Sequence, residues 1–174
     1  EVDARQRIPQ ALDGDRARDR CTPLVRPDER DDFRTTDYLF HVASHFRVCH
    51  FEEKDRGRGG GNRSGIEPGF PGLCCSFCGG KKTRRGGPVG RYFIRNQKTF
   101  ADRSKSVDAF YAHLVGCEHV PRAVKEDVRR YRENHARDTE ALQAMGLRKS
   151  AKFFFTALWE RLQAVPREPN SNHE

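Results

Sequence analysis

Cys75, Cys78, His113 and Cys117 stand in the pattern C-x2-C-x34-H-x3-C, and no other feature restricts what this chain can fold into as much. Two thiols three residues apart can be offered by one tight turn. A histidine and a cysteine four apart share one face of a helix. Together they present one nitrogen and three sulfurs to a single ion, the tetrahedral donor set of closed, structural Zn²⁺ centres. With every coordination position filled by protein, none is left for a catalytic water. The pattern therefore predicts a zinc-stapled binding module and not an enzyme.

The flanking residues suit both half-sites. Val107, Phe110, Tyr111, Leu114 and Val115 recur at helical intervals around His113. Ser104 or Ser106 can cap the start of that helix, Asp108 falls in its first turn, and Gly116 and Pro121 bracket its end. Gly72-Leu-Cys-Cys-Ser-Phe-Cys-Gly-Gly80 sets the thiols between glycines, so the backbone can fold back on itself there. Cys74 is an alternative to Cys75, in C-x3-C spacing, but C-x2-C is the commoner knuckle. Ordinary buried thiols and a surface histidine would be the plainer explanation, since free cysteine is commonly buried. Two compatible spacings of ligand residues argue against it. The long insert between the half-sites costs little in loop closure but must carry structure of its own.

A chain of 174 residues with 35% hydrophobic content and a mean hydropathy of -0.90 supports one small core. Metal binding, worth about 10 to 16 kcal/mol in small zinc fingers, would then be a condition of folding. The six cysteines show no regular spacing and follow no signal peptide, which points to a reducing, intracellular compartment rather than a disulfide framework. No run approaches the roughly 18 apolar residues needed to cross a bilayer, so no membrane partner is expected. The sequence starts at Glu1 without methionine, and an N-terminal segment can be missing.

Residues 1–33, dense in Arg, Asp and Glu without a period, read as a disordered charged arm, and 164–174 as a disordered tail. Between them, 34–163 form the zinc-finger-like domain. Leu39, Val42, Ala43 and Phe46 predict a first amphipathic helix across Asp37–Phe51. Residues 52–69, rich in Gly and Arg, predict a flexible loop. Gly69–Cys74 and Gly90–Arg95 predict the two strands of a hairpin. A long charged helix should start with Pro121 at its first position and run to Gly146. A last helix over Ser150–Gln163, with Phe154, Phe155, Leu158 and Leu162 on one face and Phe153 and Trp159 alongside, should clamp the core. The fold class is thus α+β: a zinc-stapled hairpin and ligand helix surrounded by three further helices.

His41, His45 and Cys49 fall at successive i+4 steps on the first predicted helix, and with Cys21 they are the best raw material for a hydrolytic metal site. They drift around the helix away from the Leu39 and Phe46 face, so they read as exposed or boundary residues. A second zinc equivalent lost on changing His45 would reverse that.

Cys75-Ser-Phe-Cys78 followed by His113-Leu114 and Cys117 resembles a BED-type or related C2HC zinc finger, in which a knuckle on a hairpin precedes a helix with His-Leu and a second ligand. Gly69-Phe-Pro-Gly-Leu-Cys-Cys-Ser-Phe-Cys, Gly90-Arg-Tyr-Phe, His113-Leu-Val-Gly-Cys and Lys152-Phe-Phe-Phe-Thr-Ala-Leu-Trp-Glu-Arg-Leu also resemble an uncharacterised zinc-finger-like family of diatoms and similar unicellular algae. The algal likeness implies the fold and the zinc. The BED-type likeness implies DNA binding by analogy of fold.

The formal net charge is +8, and residues 79–105 hold nine Lys or Arg against one acid, Asp102. This segment lies between the half-sites and is interleaved with Tyr92, Phe93 and Phe100. Pinned by the metal, it can meet phosphates through Lys81, Lys82, Arg84, Arg85, Arg91 and Arg95, while Ser104, Lys105 and Asp108 at the helix start face bases. Elsewhere in the chain the charge reads as a solvated face. The sequence therefore points to a zinc-binding, non-catalytic nucleic-acid-binding module, with DNA as partner in preference to RNA and a nuclear location if that holds. The rival is a zinc-stabilised protein-interaction domain using the C-terminal helices.

Overall fold

The computed structural model describes residues 22–56, 63–81, 90–102 and 106–166. Five helices and a three-stranded antiparallel sheet make an α+β fold. In chain order these are α1 (Asp37–Ser44), β1 (Phe46–His50), β2 (Pro71–Cys75), β3 (Arg91–Tyr92), α2 (Gln97–Ala101), α3 (Asp108–Gly116), α4 (Arg122–Ala144) and α5 (Ser150–Ala164).

The sheet has the order β1-β2-β3. Phe46 pairs with Cys75, Val48 with Leu73 and His50 with Pro71, while Leu73 pairs with Tyr92 and Cys74 with Arg91. Because side chains alternate along a strand, this register sorts them cleanly. Phe46, Val48, Leu73, Cys75 and Tyr92 share one face, and Arg47, Cys49, Cys74 and Arg91 share the other. Every residue of the central strand β2 is buried.

β1 corrects the single helix expected over Asp37–Phe51. Helix α1 starts where foreseen, with the Thr36 hydroxyl accepting the Leu39 N–H, but it stops at Ser44. Phe46 fits the helical period of Leu39 and Val42, yet it equally begins the alternation Phe46, Val48, His50. Helix and strand cannot be told apart by period over so short an apolar run. The β-branched, aromatic composition and the partner strand decide for β1.

The charged arm also ends sooner than expected. Residues 1–21 lie outside the described residues, but from Thr22 the chain adds to the open edge of β1. The Leu24 N–H donates to the Phe46 carbonyl at 3.1 Å and the Val48 N–H to that of Thr22 at 2.8 Å. Leu24 and Val25 are buried, the Phe33 ring meets Phe154 edge-on at 5.1 Å, and Arg161 of α5 donates to Glu29 at 2.8 Å. Three apolar residues among many charges are enough to anchor this stretch. The ends of the predicted 52–69 loop are likewise folded: Asp55 and Ile66 are buried, and Phe51 exchanges backbone hydrogen bonds with Gly69 and Phe70. Residues 57–62 are outside the described residues.

Helix α2 was not foreseen. Asn96 caps it through its side chain, and it drives Phe100 into the core against Phe155 and Trp159. Ser106 does not cap α3; its hydroxyl donates to the Thr99 carbonyl at 2.7 Å and ties the two helices together. Pro121 is the N-cap of α4 rather than its first residue. Val128 is the only fully buried residue of α4, whose apolar stripe is thin, as its composition foretold. That helix closes with Gly146 at φ +80: the Leu147 N–H donates to Leu142 and the Gly146 N–H to Gln143, the paired bonds of a Schellman cap. Helix α5 then lays Phe154, Phe155, Leu158 and Leu162 across the core. Phe153 does not join them and is 68% exposed. No helix among the described residues is long and apolar enough to cross a membrane.

Candidate metal centre

Cys75 ends the central strand, and Cys78 lies in the turn that follows it. Gly79 and Gly80, at φ +57 and +83, take backbone conformations that L side chains rarely adopt, and they let the chain reverse around the thiols. The Gly79 N–H donates to the Cys75 carbonyl at 2.8 Å and the Lys81 N–H to that of Cys78 at 2.9 Å, closing the knuckle. His113 comes from the last turns of α3, and Cys117 is its C-cap, with its N–H bonded to the His113 carbonyl.

All four side chains are buried, and their donor atoms lie within 4.8 Å of one another. Sγ of Cys78 is 3.5 Å from Nε2 of His113. Metal bonds of 2.0–2.3 Å at tetrahedral angles give donor-to-donor edges of about 3.5 to 3.8 Å, so that pair already has the spacing one ion requires. The cluster is positioned to bind a metal ion.

The chemistry around the sulfurs fits the same group. The Cys75 sulfur faces the backbone N–H groups of Cys78 and Phe77, and the Cys117 sulfur those of His119 and Val120. The Gly80 N–H donates to Cys78 at 3.4 Å. Five N–H dipoles aimed at three buried sulfurs favour thiolates over thiols. Cys78 is brought down to about 3, first by the Cys75 thiol that donates to it and then by His113 and the Gly80 N–H. Cys75 is pushed up correspondingly, because its proton is the one shared with Cys78. Burial raises Cys117. A bound cation would displace the remaining protons and hold three thiolates and one neutral imidazole.

Cys74 is not part of this cluster. It projects from the opposite face of β2, beside Cys49, Arg47 and Arg91. Hydrogen bonding from the Cys49 thiol is the main cause that lowers it to about 6. The alternation of the strand settles the choice between adjacent cysteines that spacing left open. Cys21 lies outside the described residues.

The residues assigned to phosphate contact have different fates. Lys81 and Arg95 are exposed. Lys82, Arg84 and Arg85 lie outside the described residues. Arg91 is withdrawn from the surface: its side chain is 8% exposed, and Nη2 donates to the His50 carbonyl at 2.7 Å and to Asp55 at 3.0 Å. Glu52 accepts from the same nitrogen at 3.3 Å. Asp55 is fully buried, and a carboxylate there requires a cation beside it. The interleaved aromatics are also committed internally. Phe100 is in the core, the Tyr92 hydroxyl donates to the Ala109 carbonyl, and Phe93 lies under the guanidinium groups of Arg63 and Arg91. At the start of α3, Asp108 faces Arg132 of α4, 3.5 Å away, and residues 103–105 are outside the described residues.

One group escaped sequence reasoning: the buried Asp55–Arg91 pair joins residues 36 apart with no local pattern to mark it. His41 and His45, singled out by their spacing, are half-buried boundary residues that touch through their ring nitrogens, and burial, then the neighbouring His41, lowers His45 to about 4. Cys49 lies on β1 and not on their helix. No family model, curated protein or solved structure matches this chain, so the metal centre stands on its own geometry.

Proposed function

We propose that the protein is a zinc-binding, non-catalytic module that contacts nucleic acid, DNA before RNA, through the basic segment held between its two metal half-sites. The observation that carries this reading is the closed, buried donor set of Cys75, Cys78, His113 and Cys117. Three sulfurs and one imidazole suit Zn²⁺ above harder ions, and four protein donors leave no open position for hydrolysis. The segment from Cys78 to His113 begins and ends at that donor set. Its excess of nine cations over one acid within residues 79–105 gives it the charge to meet phosphates.

The contact set is Lys81, Lys82, Arg84, Arg85 and Arg95, with Arg91 supporting the fold from inside. The likeness to BED-type fingers favours DNA and, with it, a nuclear location. Titration of labelled duplex DNA, single-stranded DNA and RNA at rising salt tests this. Affinity should fall steeply with ionic strength, and Lys81→Glu with Lys82→Glu should weaken binding and flatten the salt slope by about two ions. No binding at low salt would end this reading.

One observation favours a zinc-stabilised protein-interaction domain instead. Met145 and Phe153, at the junction of α4 and α5, are 70% and 68% exposed. Binding to a protein partner that ignores salt but is lost in Phe153→Asp would establish that alternative.

A further inference from the structure

We propose that His41 and His45 form a second, solvent-accessible metal site for a late first-row divalent ion, with water completing its shell. The two imidazoles lie one turn apart at the C-terminal end of α1, and their Nε2 atoms face each other at 3.3 Å. Neutral imidazoles can place only one N–H between them, and 3.3 Å is long for such a bond. It equals the edge, about 3.3 Å, that two imidazole nitrogens adopt on one ion at bond lengths near 2.05 Å. A cation between them satisfies both lone pairs at once.

The rings are held in this attitude from outside. Tyr131 of α4 packs on His41 at 4.8 Å and Phe77 of the knuckle on His45 at 5.3 Å, while the two imidazoles meet edge-on at 81°. Both histidines are only half-buried, so an ion and its remaining water ligands have access. Asp127 of α4 is paired with Arg130 at 2.6 Å and is not counted among the donors. Imidazole nitrogens suit Zn²⁺ or Ni²⁺. Because water would complete the shell of such an ion, the site differs in kind from the closed cluster. The inference does not depend on the reading of that cluster or on nucleic-acid binding.

The test uses untagged full-length protein as purified, its resident metal content first measured, titrated with NiCl₂ by calorimetry and examined by native mass spectrometry. One Ni²⁺ per chain is expected in addition to any resident metal. His41→Asn and His45→Asn should each weaken it at least about tenfold, with occupancy of the Cys75/Cys78/His113/Cys117 cluster unchanged. In the wild-type protein Ni²⁺ should broaden the ring proton signals of His41 and His45 before those of His119, which needs no variant to fold. Failure of Ni²⁺ to saturate, full retention of Ni²⁺ by the His41→Asn/His45→Asn double variant, or broadening of His119 first would each overturn the proposal.

Discussion

Gly90 lies directly against the imidazole of His113: a Cβ built on it would fall 2.5 Å from Nε2 and 2.9 Å from Cβ of Cys75. Its carbonyl accepts the Cys75 N–H at 2.8 Å, so the residue both anchors the end of β2 and leaves room for the ligand nitrogen. Neither neighbour can retreat without disturbing the cluster, because one is a donor atom of it and the other carries one. Gly90→Ala should therefore displace Nε2, lowering zinc affinity at least about tenfold and costing about 1 to 3 kcal/mol of stability. Competition with a chromophoric chelator reads the first and urea unfolding in excess zinc the second. Unchanged affinity would mean that His113 is not a ligand.

The two adjacent cysteines provide a sharper comparison. Cys75→Ser removes a donor of the cluster, whereas Cys74→Ser alters the far face of the sheet. Native mass spectrometry should find one zinc on the Cys74 variant and none, or a readily stripped one, on the Cys75 variant. Chelation of the wild-type protein should abolish its cooperative thermal transition, since a metal held by this cluster would join the end of β2 to the end of α3. A metal-free protein that melts as sharply as the loaded one would show that the cluster is dispensable.

Arg91 separates structural charge from binding charge. Its guanidinium meets a carboxylate with no exposed surface, and removing it strands that carboxylate in the interior. Arg91→Ala should cost about 3 to 5 kcal/mol, and Asp55→Ala combined with Arg91→Ala should cost much less than the two separate losses added together. Urea melts at fixed zinc concentration measure all three variants. If the double variant is as damaged as the sum, the pair is not a unit.

These cases show which features the sequence could express. The candidate metal cluster was legible because its spacing is local, x2 within a turn and x3 along a helix, and each half carries its own physical signature. So were α3, α4 and α5, whose apolar residues repeat at the helical period. Strand β1 was hidden because Phe46 serves both periods, and only pairing with β2 breaks the tie. Short α2 carries a single core residue, Phe100, too few to register as a period. Arg91 looked like its exposed basic neighbours because nothing near it in sequence announces Asp55, whose partner is chosen by tertiary packing. The contact of His41 with His45 was half visible: their spacing placed them on one helix, but α4 and the knuckle, which orient their rings, arrive from elsewhere in the chain.

Two glycines in open space should respond to alanine in opposite directions. Gly116, the last residue of α3, and Gly146, which follows α4, would each admit a Cβ with nothing within 4 Å, so packing is indifferent to both. Their backbones are not. Gly116 has no positive φ, and alanine there reduces the freedom of the unfolded chain while favouring the helix that carries His113; about 0.4 to 1 kcal/mol of added stability is expected. Gly146 sits at φ +80 in the Schellman cap, where alanine brings its Cβ towards a carbonyl oxygen and should cost about 1 to 2 kcal/mol. Gly146→Asn should cost less than Gly146→Ala, because asparagine tolerates the left-handed region better. Thermal melts of the zinc-loaded variants, compared at one metal concentration, measure all three. Destabilisation by Gly116→Ala would reveal strain in the link between His113 and Cys117, and a neutral Gly146→Ala would mean that the joint between α4 and α5 relaxes into another turn.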